Sequence, residues 1–185
     1  MIRMNYKQHK AVSRYPLESE EQKAAWKWMA THPVGTQHEL RDGTVVIPTL
    51  QDFSYMVPNG VQLSGAGTRR AIYMSSLKAQ GLRSGVSDLV IAYPIWGRDV
   101  GHCLYPGAYI EMKRVREAYP GPAALKLAVR EEQKEFLALM DSVGYWTAIA
   151  YGCEDFKRLV RSYLNKEIPP VLDFVEKFRQ NRPAQ

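Results

Sequence analysis

The chemistry of this sequence is concentrated in three charged residues on two short apolar segments. Asp88 opens the run Leu89-Val90-Ile91-Ala92. Glu111-Met112-Lys113 closes the run Ala108-Tyr109-Ile110. Both runs read as buried strands. The segment between them, 94–107, contains Gly97, Gly101, Pro106 and Gly107 and reads as a loop. Paired as a hairpin around that loop, the strands bring Asp88 and Glu111 to adjacent strand ends. Glu111 and Lys113 share one strand face, because side chains alternate with period two. Two carboxylates with a backbone carbonyl suit Mg²⁺, a hard cation that keeps several waters. Such a cation acidifies a bound water and neutralises charge developing on a phosphate. A lysine beside it orients the attacking water or stabilises the pentavalent state. On spacing alone, an E-x-K at a strand end is more often a solvated cross-strand pair. The combination of buried strand, aspartate, Gly-rich loop and E-x-K is what points to catalysis.

The charge balance is consistent with a polyanionic partner. The 185 residues include 25 Lys+Arg and 19 Asp+Glu, a net charge of +6. Arg69, Arg70, Lys78 and Arg83 precede the Asp88 strand, and Arg114 and Arg116 follow Lys113. Positive charge on both sides of an acidic site is what a phosphate backbone requires; the competing reading is an ordinary solvated helix face. Lys157, Arg158 and Arg161 extend the same track on a later helix.

Several classes are excluded or disfavoured. At 45% hydrophobic residues the chain has enough apolar content for a core, which excludes wholesale disorder. No apolar run approaches the ~18 residues of a membrane span. The opening MIRMNYKQHK is polar and does not read as a signal peptide. Cys103 and Cys153 form no C-x-x-C pattern, so a reducing cytoplasm is expected. Gly65-Ala66-Gly67 lacks the G-K-[ST] of a phosphate loop, and His9, His32, His38 and His102 show no metal-ligand spacing.

The elements that must position the three residues can be read from periodicity and breakers. A helix begins near Glu18-Ser19-Glu20-Glu21-Gln22, with Ser19 as the expected cap, and ends at His32-Pro33. Trp26 and Trp28 are two apart, so only one is expected to face the core squarely; the other is left for an interface or for stacking on a base. A short strand is expected at 45–47 and a half-buried one at 53–57, closed by Pro58-Asn59-Gly60. Helices follow at 68–80 and 123–142, a third buried strand at 145–151, an amphipathic helix at 154–164, and a short helix at 171–178. The fold class is α/β, a small mixed β-sheet flanked by helices.

A resemblance makes the reading specific. The stretch Leu77-Lys78-Ala79-Gln80-Gly81-Leu82-Arg83-Ser84-Gly85-Val86-Ser87-Asp88-Leu89 resembles the central motif of VRR-NUC nucleases, the virus-type replication-repair branch of the PD-(D/E)XK superfamily. Pro58-Asn59-Gly60 resembles the upstream turn of phage members, and Tyr105 to Arg114 resembles the E-x-K strand. Glu132-Gln133 lies where the family carries a glutamine in the following helix. The ordered set spans roughly residues 16–165, between a basic arm (1–15) and a C-terminal helix with a polar tail (166–185).

The resemblance implies a restriction-endonuclease-like core and a Mg²⁺- or Mn²⁺-dependent DNA endonuclease. Asp88 and Glu111 would bind the metal with the Met112 carbonyl, Lys113 would be the catalytic lysine, and Gln133 would support the site. The first-helix acid is Glu18 or Glu21. The sequence departs from the family at Ser87, where proline usually precedes the aspartate. Phage-type stand-alone members imply a homodimer acting on branched DNA such as junctions. The alternatives are a non-cleaving DNA-binding module on the same fold, or a phage regulatory interaction protein.

Overall fold

The computed structural model describes residues 14–35, 37–57, 75–81, 83–97 and 101–175. A four-stranded mixed sheet forms its centre, in the order β3-β4-β7-β8. These strands are β3 (Ser54–Met56), β4 (Leu89–Ile91), β7 (Ala108–Lys113) and β8 (Trp146–Tyr151). β3 pairs antiparallel with β4, and β4 antiparallel with β7. β7 and β8 run parallel over their full length, Ala108 opposite Trp146 through Lys113 opposite Tyr151. Parallel neighbours need a crossover, and the chain between them supplies helices α2 (Pro122–Leu127) and α3 (Glu131–Ser142). Helices α1 (Glu18–Met29) and α4 (Cys153–Leu164) pack with the sheet around one core. Ala25, Met29, Ile110, Met112, Ala148, Ala150, Phe156 and Val160 all belong to that core. Each fully buried large side chain there contributes about 1.5–3 kcal/mol.

The hairpin pairing expected between the two apolar runs is present, and β7 has the expected bounds. The 94–107 segment is not wholly a loop. It carries a small hairpin of β5 (Ile95–Trp96) and β6 (Cys103–Tyr105), with Ile95 buried at its base. Gly97 directly follows β5 and Gly107 lies just beyond β6, a pattern that breaker residues alone do not distinguish from a loop. The strand expected over 45–47 is β2 (Val45–Val46), paired with β1 (His38–Glu39). Phe53 falls in a 3₁₀ turn (Leu50–Phe53) rather than in the strand that follows it.

The helix expected over 123–142 is broken. Arg130 is extended (φ −70°, ψ 156°) and starts α3 as its N-cap. Its backbone N–H donates to Gln133 Oε1 at 3.0 Å, and Val129 is buried in the gap. A side chain that satisfies an N-cap donor stabilises a helix start even in the middle of an apolar-periodic stretch. α1 begins two residues earlier than a Ser19 cap implies. Leu17 rather than Ser19 is its N-cap, and Glu20 Oε2 accepts the Leu17 N–H at 2.7 Å.

Trp26 and Trp28 are both half-buried and both pack against the core. Of the 68–80 helix, 75–79 lies within the described residues, with Gly81 (φ +101°) stopping it. Of the 171–178 helix, 173–175 does. Residues 1–13, the turn Pro58-Asn59-Gly60, Arg69 and Arg70 lie outside the described residues. Among the described residues no helix is long and apolar enough to cross a membrane. Cys103 and Cys153 are both free.

Candidate active site

The β4–β7 register determines the site. Leu89 pairs with Ile110, so one position further out sets Asp88 opposite Glu111. Asp88 is held from both sides. Its carbonyl accepts the Val57 N–H at 3.0 Å, and its Oδ2 accepts the Met112 N–H, also at 3.0 Å. Asp88, Glu111, Lys113 and Gln133 are all buried.

Lys113 Nζ lies 2.6 Å from Glu111 Oε1 and 3.5 Å from Glu18 Oε2. Gln133 Nε2 donates to the same Glu111 Oε1. The Gln133 amide therefore does two things: its oxygen starts α3 and its nitrogen reaches the E-x-K strand. The break at 128–130 matters here, because it places Gln133 in the first turn of α3, with that helix end facing the sheet.

Glu111 is fully buried, yet among the described residues its Oε2 accepts no hydrogen bond. A buried carboxylate oxygen without a partner is costly. Burial first, then the charge of Asp88, push the Glu111 carboxyl up to about 8, with Lys113 pulling the other way. Burial also raises Glu18; Lys113 opposes this and Asp88 adds to it. Burial pulls Lys113 down, but Glu111 and Glu18 outweigh it and its net shift is upward. Three acids thus act on one lysine across one cluster.

The cluster opens into a cleft of about 720 Å³. Glu18, Asp88, Lys113 and Gln133 line it, together with Arg114 and Arg130. Glu111 lies beneath that surface. The first-helix acid at the cleft is Glu18. Glu21 is buried elsewhere, where its Oε2 accepts the Cys153 N–H at 2.7 Å and caps α4.

The sequence-identified cations divide. Arg114 lines the cleft while donating to the carbonyls of Tyr15 and Pro16, which ties the lead-in of α1 to the end of β7. Arg116 lies 4.1 Å from the Tyr151 ring centroid, and Arg83 5.8 Å from that of Phe136. Lys78 is exposed on its helix. Lys157 and Arg158 pair within α4 with Glu154 and Asp155, and Arg161 stacks over Trp28.

The residue that sequence reasoning missed is Arg130. Its only signal was its place three residues before Gln133, at a helix start hidden inside an apparently continuous helix.

The donor set fits a hard divalent cation. Asp88 and Glu111 supply oxygens from facing positions, and among the described residues Glu111 Oε2 accepts no hydrogen bond. Among the described residues no three His, Cys, Asp or Glu side chains form a metal-holding group.

No protein-family model matches the chain, and no curated protein matches it significantly. A solved structure named "VRR_NUC domain protein" is similar with a TM-score of 0.55, over 85% of this chain and 95% of its own, at 17% sequence identity. That likeness shows a shared fold, a mixed α/β arrangement with a small sheet flanked by helices.

Proposed function

We propose that the protein is a divalent-metal-dependent nuclease that hydrolyses phosphodiester bonds in DNA. The observation that carries this reading is the convergence of Asp88, Glu111 and Lys113 at adjacent strand ends, with Glu111 Oε2 buried and without a hydrogen-bond partner among the described residues. Asp88, Glu111 and the Met112 carbonyl would hold Mg²⁺ or Mn²⁺. Such a cation acidifies water and neutralises charge on the scissile phosphate.

The chain's own residues do the rest. Lys113 presents an ammonium at the floor of the cleft, where it orients the attacking water or stabilises negative charge in the transition state. Gln133 fixes the Glu111 carboxylate from α3. Glu18 faces Lys113 from α1 and keeps the ammonium charged and directed. Arg114 and Arg130 place positive charge on the cleft wall for the phosphates flanking the scissile bond. Branched DNA cut by a homodimer belongs to the same proposal and rests on the phage-type resemblance alone.

A panel of single-stranded, duplex, flap and four-way-junction DNAs, each with Mg²⁺ and with Mn²⁺, tests the proposal. Cleavage of at least one substrate that EDTA abolishes is the expected result. Cleavage by the pure protein that persists in EDTA would overturn it. A non-cleaving DNA-binding module would bind the panel and cut none of it.

A further inference from the structure

We propose that the groove between α1 and the outer edge of β3 is a docking track for an unpaired polynucleotide strand leading out of the cleft. The proposal rests on the nuclease reading and names the substrate feature that the same site selects. Among the described residues β3 is one of the two edge strands of the central sheet, β8 being the other. Beside it lies a second groove of about 550 Å³, with almost wholly apolar walls. One wall is a stripe of α1, Gln22, Lys23, Trp26 and Lys27, at the spacing of a single helix face. The other is Ser54 to Met56.

The groove adjoins the cleft, with which it shares part of its lining. Ser19, Gln22 and Met56 line both. From Glu18 at the cleft to Trp26 is eight residues of helix, about 12 Å. A strand leaving the cleft along α1 would therefore meet the indole within a few nucleotides.

The composition of the groove fits nucleotides. Trp26 is half-buried, packed against the core on one side and open to the groove on the other. Its backbone is pinned by Gln51 Nε2, which donates to the Trp26 carbonyl at 3.4 Å. A rigid, part-exposed indole is a sequence-tolerant stacking platform for a base. Lys23 and Lys27 are exposed on the same stripe, one turn apart, and match a strand's phosphates in sign. A paired duplex presents no free base face to the indole, so the groove favours unpaired DNA or RNA.

The experiment measures fluorescence anisotropy of labelled dT and rU oligomers and of a blunt duplex, in EDTA, with the full chain. The variants are Trp26→Leu, which keeps apolar bulk and removes the aromatic face, and Lys23→Glu/Lys27→Glu at exposed positions. The ratio of single-strand to duplex affinity should fall roughly tenfold in Trp26→Leu. In the double-lysine variant the single-strand affinity should fall and its salt dependence flatten. A single-strand to duplex ratio within twofold of wild type in both variants would overturn the proposal. So would a change in oligomeric state in Trp26→Leu with that ratio unchanged, which would assign the groove to a second copy of the chain. Because no cleavage is needed, failure of the groove is distinct from failure of the nuclease reading. The latter is read separately from whether EDTA abolishes cutting.

Discussion

Lys113 Nζ stands 2.6 Å from Glu111 Oε1, and that carboxylate is fully buried. The pair is not a simple stabilising salt bridge, because Asp88 also acts on Glu111. Burial and the Asp88 charge push the Glu111 carboxyl from its ordinary 4.5 up to about 8. The folded protein then holds the Glu111 proton more tightly than the unfolded chain. The stability this group contributes is fully present below about pH 4.5 and is lost as pH rises through about 8. Lys113 does not titrate in that window, since its net shift is upward from 10.5. Thermal unfolding in EDTA, followed from about pH 5 to pH 9 for wild type and Glu111→Gln, should show the wild type losing stability relative to the variant as pH rises. Parallel profiles would contradict a protonatable Glu111.

Gly85 controls how closely the Asp88 strand approaches α3. Its φ is +83°, and a Cβ there would lie 2.5 Å from the carbonyl oxygen of Glu132, the residue before Gln133. Gly85→Ala should therefore separate Asp88 from Gln133, cost at least about 2 kcal/mol and reduce cleavage. Gly43 is the control. Its φ is +81° with nothing within 4 Å of its would-be Cβ, so Gly43→Ala should cost about 1 kcal/mol and leave cleavage unchanged. Chemical denaturation alongside a cleavage assay reads both, and equal losses in the two variants would contradict the packing argument.

Glu18 and Glu21 are one helical turn apart and differ in role. Glu21→Gln weakens the cap on the N-terminus of α4 and should cost about 1 kcal/mol of stability. Glu18→Gln should change stability by less than about 0.5 kcal/mol, because its 3.5 Å pair with Lys113 is partly exposed. It should nonetheless lower the cleavage rate. Urea melts and single-turnover cleavage separate the two effects, and a reversed pattern would assign the site to Glu21.

Ser87 is fully buried and its hydroxyl has no hydrogen-bond partner among the described residues. Removing an unsatisfied buried hydroxyl relieves a penalty of about 1–3 kcal/mol, less a small packing loss. Ser87→Ala should raise Tm with the cleavage rate within twofold of wild type. A lowered Tm would show that the hydroxyl has a partner.

The legibility of the sequence varied along the chain for physical reasons. β7 and the β4–β7 hairpin were readable because apolar runs with charged ends have one stable arrangement, buried strands with their charges at a rim. Glu18 and Glu21 could not be separated, since both are first-turn acids and only tertiary packing assigns one to Lys113 and the other to Cys153. The α2–α3 break was hidden because Gln133, a good helix former by local propensity, makes the break by satisfying the Arg130 N–H with its side chain. Arg130 was hidden with it. The β5–β6 arm was masked by its own glycines.

The most direct test of the central claim is cleavage by Asp88→Asn, which keeps the shape of the side chain and removes its charge. With Mn²⁺ and the best substrate of the panel, the account predicts a rate lower by on the order of a thousandfold, with DNA binding retained or tighter. Cleavage by Asp88→Asn at the wild-type rate would contradict it.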